Sequence, residues 1–118
     1  MKGLARTLDA IVAQEELAGE VRKDELAFGD WILVTTAHST YSIRVLQEGE
    51  YSVSGGWFDG KGLSPARVGI AGCTWGGRVI HPSLAAACGL HLEFGNRVVT
   101  SRIRRVRLLR AWGPHIQN

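Results

Sequence analysis

The chain has 118 residues, of which 45% are hydrophobic and 21% charged, values that fit one globular domain and exclude a disordered chain. Its 14 Lys and Arg against 11 Asp and Glu give a net charge of +3, and that charge is unevenly placed. Residues 1–30 hold seven acids and four bases, a sum of −3, whereas residues 31–118 hold four acids and ten bases, a sum of +6. No apolar run approaches the roughly 20 residues of a membrane span. Arg6 and Asp9 interrupt the first apolar residues, unlike a secretory leader. Two cysteines without such a leader point to a reducing, cytoplasmic setting, with Cys73 and Cys88 read as free thiols.

Leu4, Leu8, Ile11 and Val12 recur at i, i+4, i+7 and i+8, so the spacing predicts an amphipathic helix over 3–18. This divides the chain into a helical segment at 1–28, a β-barrel at 29–110 and a tail at 111–118. After Gly29-Asp30 the period becomes two. Residues 31–36 form a β-branched and aromatic run, with Trp31 assigned to the core, and Tyr41, Ile43 and Val45 alternate with polar residues. A turn at Glu48-Gly49-Glu50 leads to Tyr51 and Val53, completing an antiparallel meander.

Residues 55–65 read as a glycine-rich loop. Val68 and Ile70 open a strand reaching Trp75, Gly76-Gly77 turns the chain, and Val79-Ile80 resumes it. Pro82 followed by Ser83-Leu84-Ala85-Ala86-Ala87 predicts a single helical turn, closed by Cys88-Gly89. Leu90, Leu92 and Phe94 alternate, Gly95-Asn96 predicts a type II′ hairpin, and Val98 to Ile103 returns. The expectation is a mainly β fold: a small antiparallel barrel or sandwich of six to seven short strands with an N-terminal amphipathic helix.

Four motifs bear on function. Gly55 to Lys61 fits G-x-x-x-x-G-K, but Gly62 stands where a phosphate-binding loop needs Ser or Thr, and no helix is expected to follow. Cys73, His81, Cys88 and His91 lack the close ligand pairs of a zinc site, so no metal or other cofactor is expected; Cys88 and His91 are the nearest pair. Ser39 beside His38, with Asp30 or Asp59, supplies the residue types of a catalytic triad without its defining geometry.

The strongest signal is Arg102, Arg104, Arg105, Arg107 and Arg110, five arginines in nine residues. Arginine suits bidentate phosphate contacts and stacking on bases. The same residues read first as the solvated face of an edge strand, with a bulge at Arg104-Arg105 leaving Val99, Ser101, Ile103, Val106 and Leu108 inward. They would then pair with the N-terminal acids, within the chain or across a dimer. Trp57 and Trp75 beside paired glycines complete the candidate binding set. The expected role is a non-catalytic binding or assembly module, homo-oligomeric and without a membrane partner. RNA or DNA is the alternative partner, and a small-ligand or enzyme site near the Gly/Trp loops is the third reading.

Overall fold

The computed structural model describes residues 12–76 and 79–111. The protein is mainly β, and six antiparallel strands close into a barrel to which further strands are added. The meander is present as β3 (Trp31–Thr36), β4 (Thr40–Val45) and β5 (Tyr51–Gly55). Thr36 ends β3 and stays satisfied although buried: its Oγ1 accepts from the Ser39 amide at 3.1 Å and donates to the Ser39 carbonyl at 3.2 Å. At the β4–β5 turn, Glu48 and Gly49 both have positive φ, as a tight hairpin with the right-handed strand twist requires.

Closure comes from one bent segment. β6 (Ala66–Val68) pairs with β5, and after Gly69 the chain continues as β7 (Ile70–Trp75), which pairs with β10 (His91–Phe94). β10 meets the first part of β11 (Val99–Ala111), and the second part of β11 meets β3. The Gly69 carbonyl accepts from the Gly95 amide at 2.7 Å, fastening the bend to the β10–β11 turn. β8 (Val79–His81) extends the sheet beyond β7. β2 (Glu20–Arg22) and β9 (Leu84–Ala87) form a separate two-stranded sheet.

Inner positions carry the core: Ile32 and Val34 on β3, Tyr41 and Ile43 on β4, Val53 on β5 and Leu92 on β10. The glycine-rich loop is not all irregular. Gly56–Gly60 forms a short helix, α1, that drives Phe58 into the barrel end. The Phe58 ring lies edge-on to Phe94, with centroids 5.0 Å apart, and to Tyr41 at 6.3 Å. Gly55, at φ 103°, has no room for a side chain, because a Cβ there would collide with the Thr40 carbonyl.

Several expectations are corrected. Val12–Ala18, the described part of the expected helix, is strand β1, antiparallel to β11 from Val12↔Ala111 to Ala18↔Val106; residues 3–11 of that helix lie outside the described residues. Its intrinsic propensity yields to the free edge that β11 offers beyond the end of β10. The rest of the expected helical segment holds β2 and one 3₁₀ turn, Lys23–Glu25. Residues 84–87 are not helical but strand, buried throughout and paired with β2. The hairpin after β10 is a three-residue loop with Arg97, not Gly95, in the left-handed region; the Arg97 amide bonds to the Phe94 carbonyl at 2.9 Å. Trp31 faces out, because β3 points Ile32, Val34 and Thr36 inward.

On β11 the expected bulge falls between Ile103 and Arg105. A second shift, between the pairs Glu93↔Val99 and His91↔Arg102, turns Thr100 inward and leaves Val99 and Ser101 exposed. The strand extends to Ala111, and the tail from 112 onward, with Trp112, lies outside the described residues. No helix among the described residues is long and apolar enough to cross a membrane.

Candidate functional site

The strand register places the functional residues. Residues directly opposite in antiparallel strands share a face. Outward from β3, β4, β5 and β6 runs one row, Trp31–Arg44–Ser52–Arg67. A second row is Leu33–Ser42–Ser54, and a third joins Thr35 to Thr40. β11 adds Arg105 opposite Thr35, Arg107 opposite Leu33 and Leu109 opposite Trp31. On β3, β4, β5, β6 and β11 these outward positions therefore hold arginines, hydroxyls, Leu33, Leu109 and Trp31, and no carboxylate. Arg67 reaches Glu50 at the hairpin end, 3.6 Å away on the surface. The Arg44 guanidinium sits 5.6 Å from the ring centre of Phe28, which is itself exposed.

The C-terminal arginines divide among different surroundings. Arg102 stacks over Trp75, its guanidinium carbon 5.4 Å from the ring centre, so one arginine and one tryptophan of the expected set meet. Arg104, at the bulge, and Arg105 are exposed and have no carboxylate partner among the described residues. Arg107 lies opposite Leu17 of β1. Arg110 joins a buried latch: its Nη1 is 3.4 Å from Asp30 Oδ2, and it also donates to the Glu25 carbonyl. Asp30 further accepts from the Ala27 amide at 2.9 Å and the Ala111 amide at 2.8 Å. One N-terminal acid thus holds the last turn of the arginine strand inside the same chain.

Trp57 is on α1, half-exposed, packed edge-on against Phe58 and beneath the Lys61 ammonium. Trp75 lies five residues along β7 from Ile70, the residue opposite Phe94, which is roughly 16 Å at strand rise. The two tryptophans belong to different parts of the barrel. Trp75 instead forms an apolar hairpin with its register partner Val79 and with Ile80; their exposures are 62%, 61% and 38%.

The remaining candidates do not converge. Cys88 Sγ lies 3.6 Å from the Ala18 carbonyl, whereas His91 Nδ1 is 2.9 Å from the Thr100 carbonyl. His81 shares a face with Cys73, and His91 shares the opposite face with Thr74. No group of three metal-ligating side chains exists among the described residues. Asp30 precedes β3 while His38 and Ser39 follow it, so a six-residue strand separates them by roughly 20 Å. Asp59 is occupied by the Gly55 amide at 3.0 Å. Burial pushes the Cys73 thiol up to about 11, against weaker pulls downward from the Ala87 amide and Lys23.

A cleft of about 270 Å³ opens at the β4–β5 turn, away from the Gly/Trp loops, between Leu26, Phe28, Leu46 and Tyr51. Lys23 stands at its edge with its Nζ donating to the Ile70 carbonyl at 2.6 Å; burial lowers its pKa, partly offset by Cys73. Glu48 and Glu50 complete the rim. Sequence reading missed both the cleft and the outward row of Trp31 and Arg44. A single arginine in an alternating strand carries no signal until its neighbours across the sheet are known. Comparison with protein-family models, with curated proteins and with solved structures gives no match.

Proposed function

We propose that this protein is a non-catalytic binding and assembly module, one domain across its length, which self-associates through the β7–β8 hairpin. The observation that carries this reading is β8 itself: all three of its residues are exposed, and its outer edge has no partner among the described residues. An apolar edge strand leaves backbone donors and acceptors open and attracts a further strand. A second copy offers the same edge, so a two-fold antiparallel pairing would satisfy both and cover Trp75, Val79 and Ile80. The two carboxylates that a triad with Ser39 and His38 would draw on are engaged structurally, Asp30 in the latch and Asp59 at the helix entry. The two free thiols fit a reducing compartment such as the cytoplasm. Light scattering at micromolar concentration and low salt tests the reading: the wild type should show a multiple of the chain mass and Ile80→Lys the chain mass. A monomeric wild type overturns it.

A second reading, nucleic-acid binding, is favoured by Arg102, Arg104 and Arg105, which project from β11 into solvent. It expects affinity for RNA or DNA that falls steeply with salt, and loss of binding in Arg104→Glu with Arg105→Glu. Unchanged probe mobility at low salt removes it.

A further inference from the structure

Three features stand outside the self-association reading: the cleft beside Lys23, the unpartnered Thr74 hydroxyl, and the outer wall of the meander. Thr74 Oγ1 is buried without a hydrogen-bond partner among the described residues, a lone hydroxyl with no second polar group beside it to define a ligand. The wall and the cleft meet at one ring, since Phe28 lines the cleft and lies under Arg44.

We infer that the outer wall of β3, β4 and β5, with its β11 border, is a platform for single-stranded nucleic acid, on which Arg44 and Arg105 hold phosphates while Trp31 and Phe28 stack on bases. This rests on the nucleic-acid reading and moves its centre from the arginine-rich strand to the wall beside it. The argument has three parts.

The first is charge. On β3, β4, β5 and β11, Arg44 and Arg105 stand with Arg107 on outward positions whose other members are Ser, Thr and apolar side chains. Hydroxyl rows donate to phosphate and sugar oxygens without opposing the positive field.

The second is stacking. Trp31 and Phe28 are both exposed, and each is next to Arg44, Trp31 by register and Phe28 by ring contact. Exposed aromatics beside cations are how single strands are bound without sequence preference, because every base presents a face.

The third selects single strand over duplex. A duplex keeps its base faces stacked, so Trp31 and Phe28 would gain nothing from it, and a barrel wall does not enter a groove as a helix or a two-stranded ribbon does. The cleft beyond Phe28, rimmed by Lys23, Glu48 and Glu50, offers one splayed base both an apolar floor and polar edges.

Fluorescence anisotropy of labelled oligo-dT, oligo-U and a duplex of equal length, each titrated with the full chain across a salt series, tests the inference. Both single strands, or the stronger of them, should bind more tightly than the duplex. Trp31→Ala should weaken single-strand binding about tenfold, the scale of one lost base stack. Arg44→Gln should lower the slope of log affinity against log salt by about 0.7, the contribution of one cation on a single strand. Both sites are surface positions, and circular dichroism checks that each variant is folded; Arg105→Gln should give the same slope change from a different strand. Arg102→Glu with Arg104→Glu, beyond the wall, is the control. If that control abolishes binding while Trp31→Ala and Arg44→Gln bind as the wild type, the wall is overturned and the nucleic-acid reading stands. If no probe binds at low salt, both fall. If the duplex binds as well as the single strands, the stacking role is overturned.

Discussion

The meander wall and the β7–β8 hairpin are built from the same kind of strand, yet they present opposite surfaces. In β3 and β4 every second residue is buried, which leaves Trp31, Leu33, Arg44 and hydroxyl groups outside. In β8 none of Val79, Ile80 and His81 is buried, because the hairpin runs past the barrel and has no core on either side. β9, only two residues further on, is the reverse case: all four residues are buried between β2 and the barrel. Alternation in a strand thus reflects a boundary between two environments, and its loss marks either full cover or none. The wall has its own core and a polar exterior, so it suits a charged ligand. The hairpin has apolar side chains and an open edge, so it suits another strand.

The sharpest way to break this contrast is to remove what holds the wall. Phe58→Ala should cost about 3–5 kcal/mol in denaturant unfolding, since it empties the aromatic cluster at the barrel end. A loss below about 1 kcal/mol, the range of surface changes, would show that α1 is not part of the core. Asp30→Ala should cost about 3 kcal/mol, because it strands Arg110 and the Ala27 and Ala111 amides.

A smaller effect comes from Cys73. Its folded pKa lies near 11 against a usual value of 9.0, so between those pH values the unfolded thiol ionises while the native one keeps its proton. Its contribution is complete below pH 9 and is lost as pH rises toward 11, worth at most roughly 2–3 kcal/mol. Lys23, with a lowered pKa, acts in the opposite sense below 10.5, and the raised pKa of Tyr51 acts with Cys73 above 10.0. Comparing the pH dependence of wild type and Cys73→Ala therefore isolates the thiol; identical slopes would contradict its burial. Under native conditions a thiol reagent should label Cys88 and leave Cys73 intact until denaturant is added. The smallest effect belongs to the hairpin: Ile80→Lys should change the stability of the isolated chain by no more than about 0.5 kcal/mol.

Much of the barrel was legible because its strands are amphipathic. Tyr41, Ile43 and Val45, and later Leu92 and Phe94, alternate as the wall requires, and the bulge near Arg104 follows from the spacing of Ile103 and Val106. Residues 31–36 carry no phase, since Trp-Ile-Leu-Val is apolar on both faces, so the pattern does not reveal that Trp31 faces out. The N-terminal strand and the strand at 84–87 were missed for a common reason. Both contain good helix formers, and both owe their conformation to a distant partner strand, β11 for one and β2 for the other. The division of charge was legible, and the structure sharpens its meaning: β1 lies along β11, and Asp30 clasps Arg110, so part of the charge is answered within the chain. What the sequence could not show was the register that sets Arg44 beside Trp31.

Hydrogen exchange at β8 tests the assembly reading most directly. The amides of Val79–His81 that are not bonded to β7 should become protected as protein concentration rises, while those of β3 and β4 stay unchanged. Fast exchange at β8 that is independent of concentration would contradict pairing of this edge with a second copy.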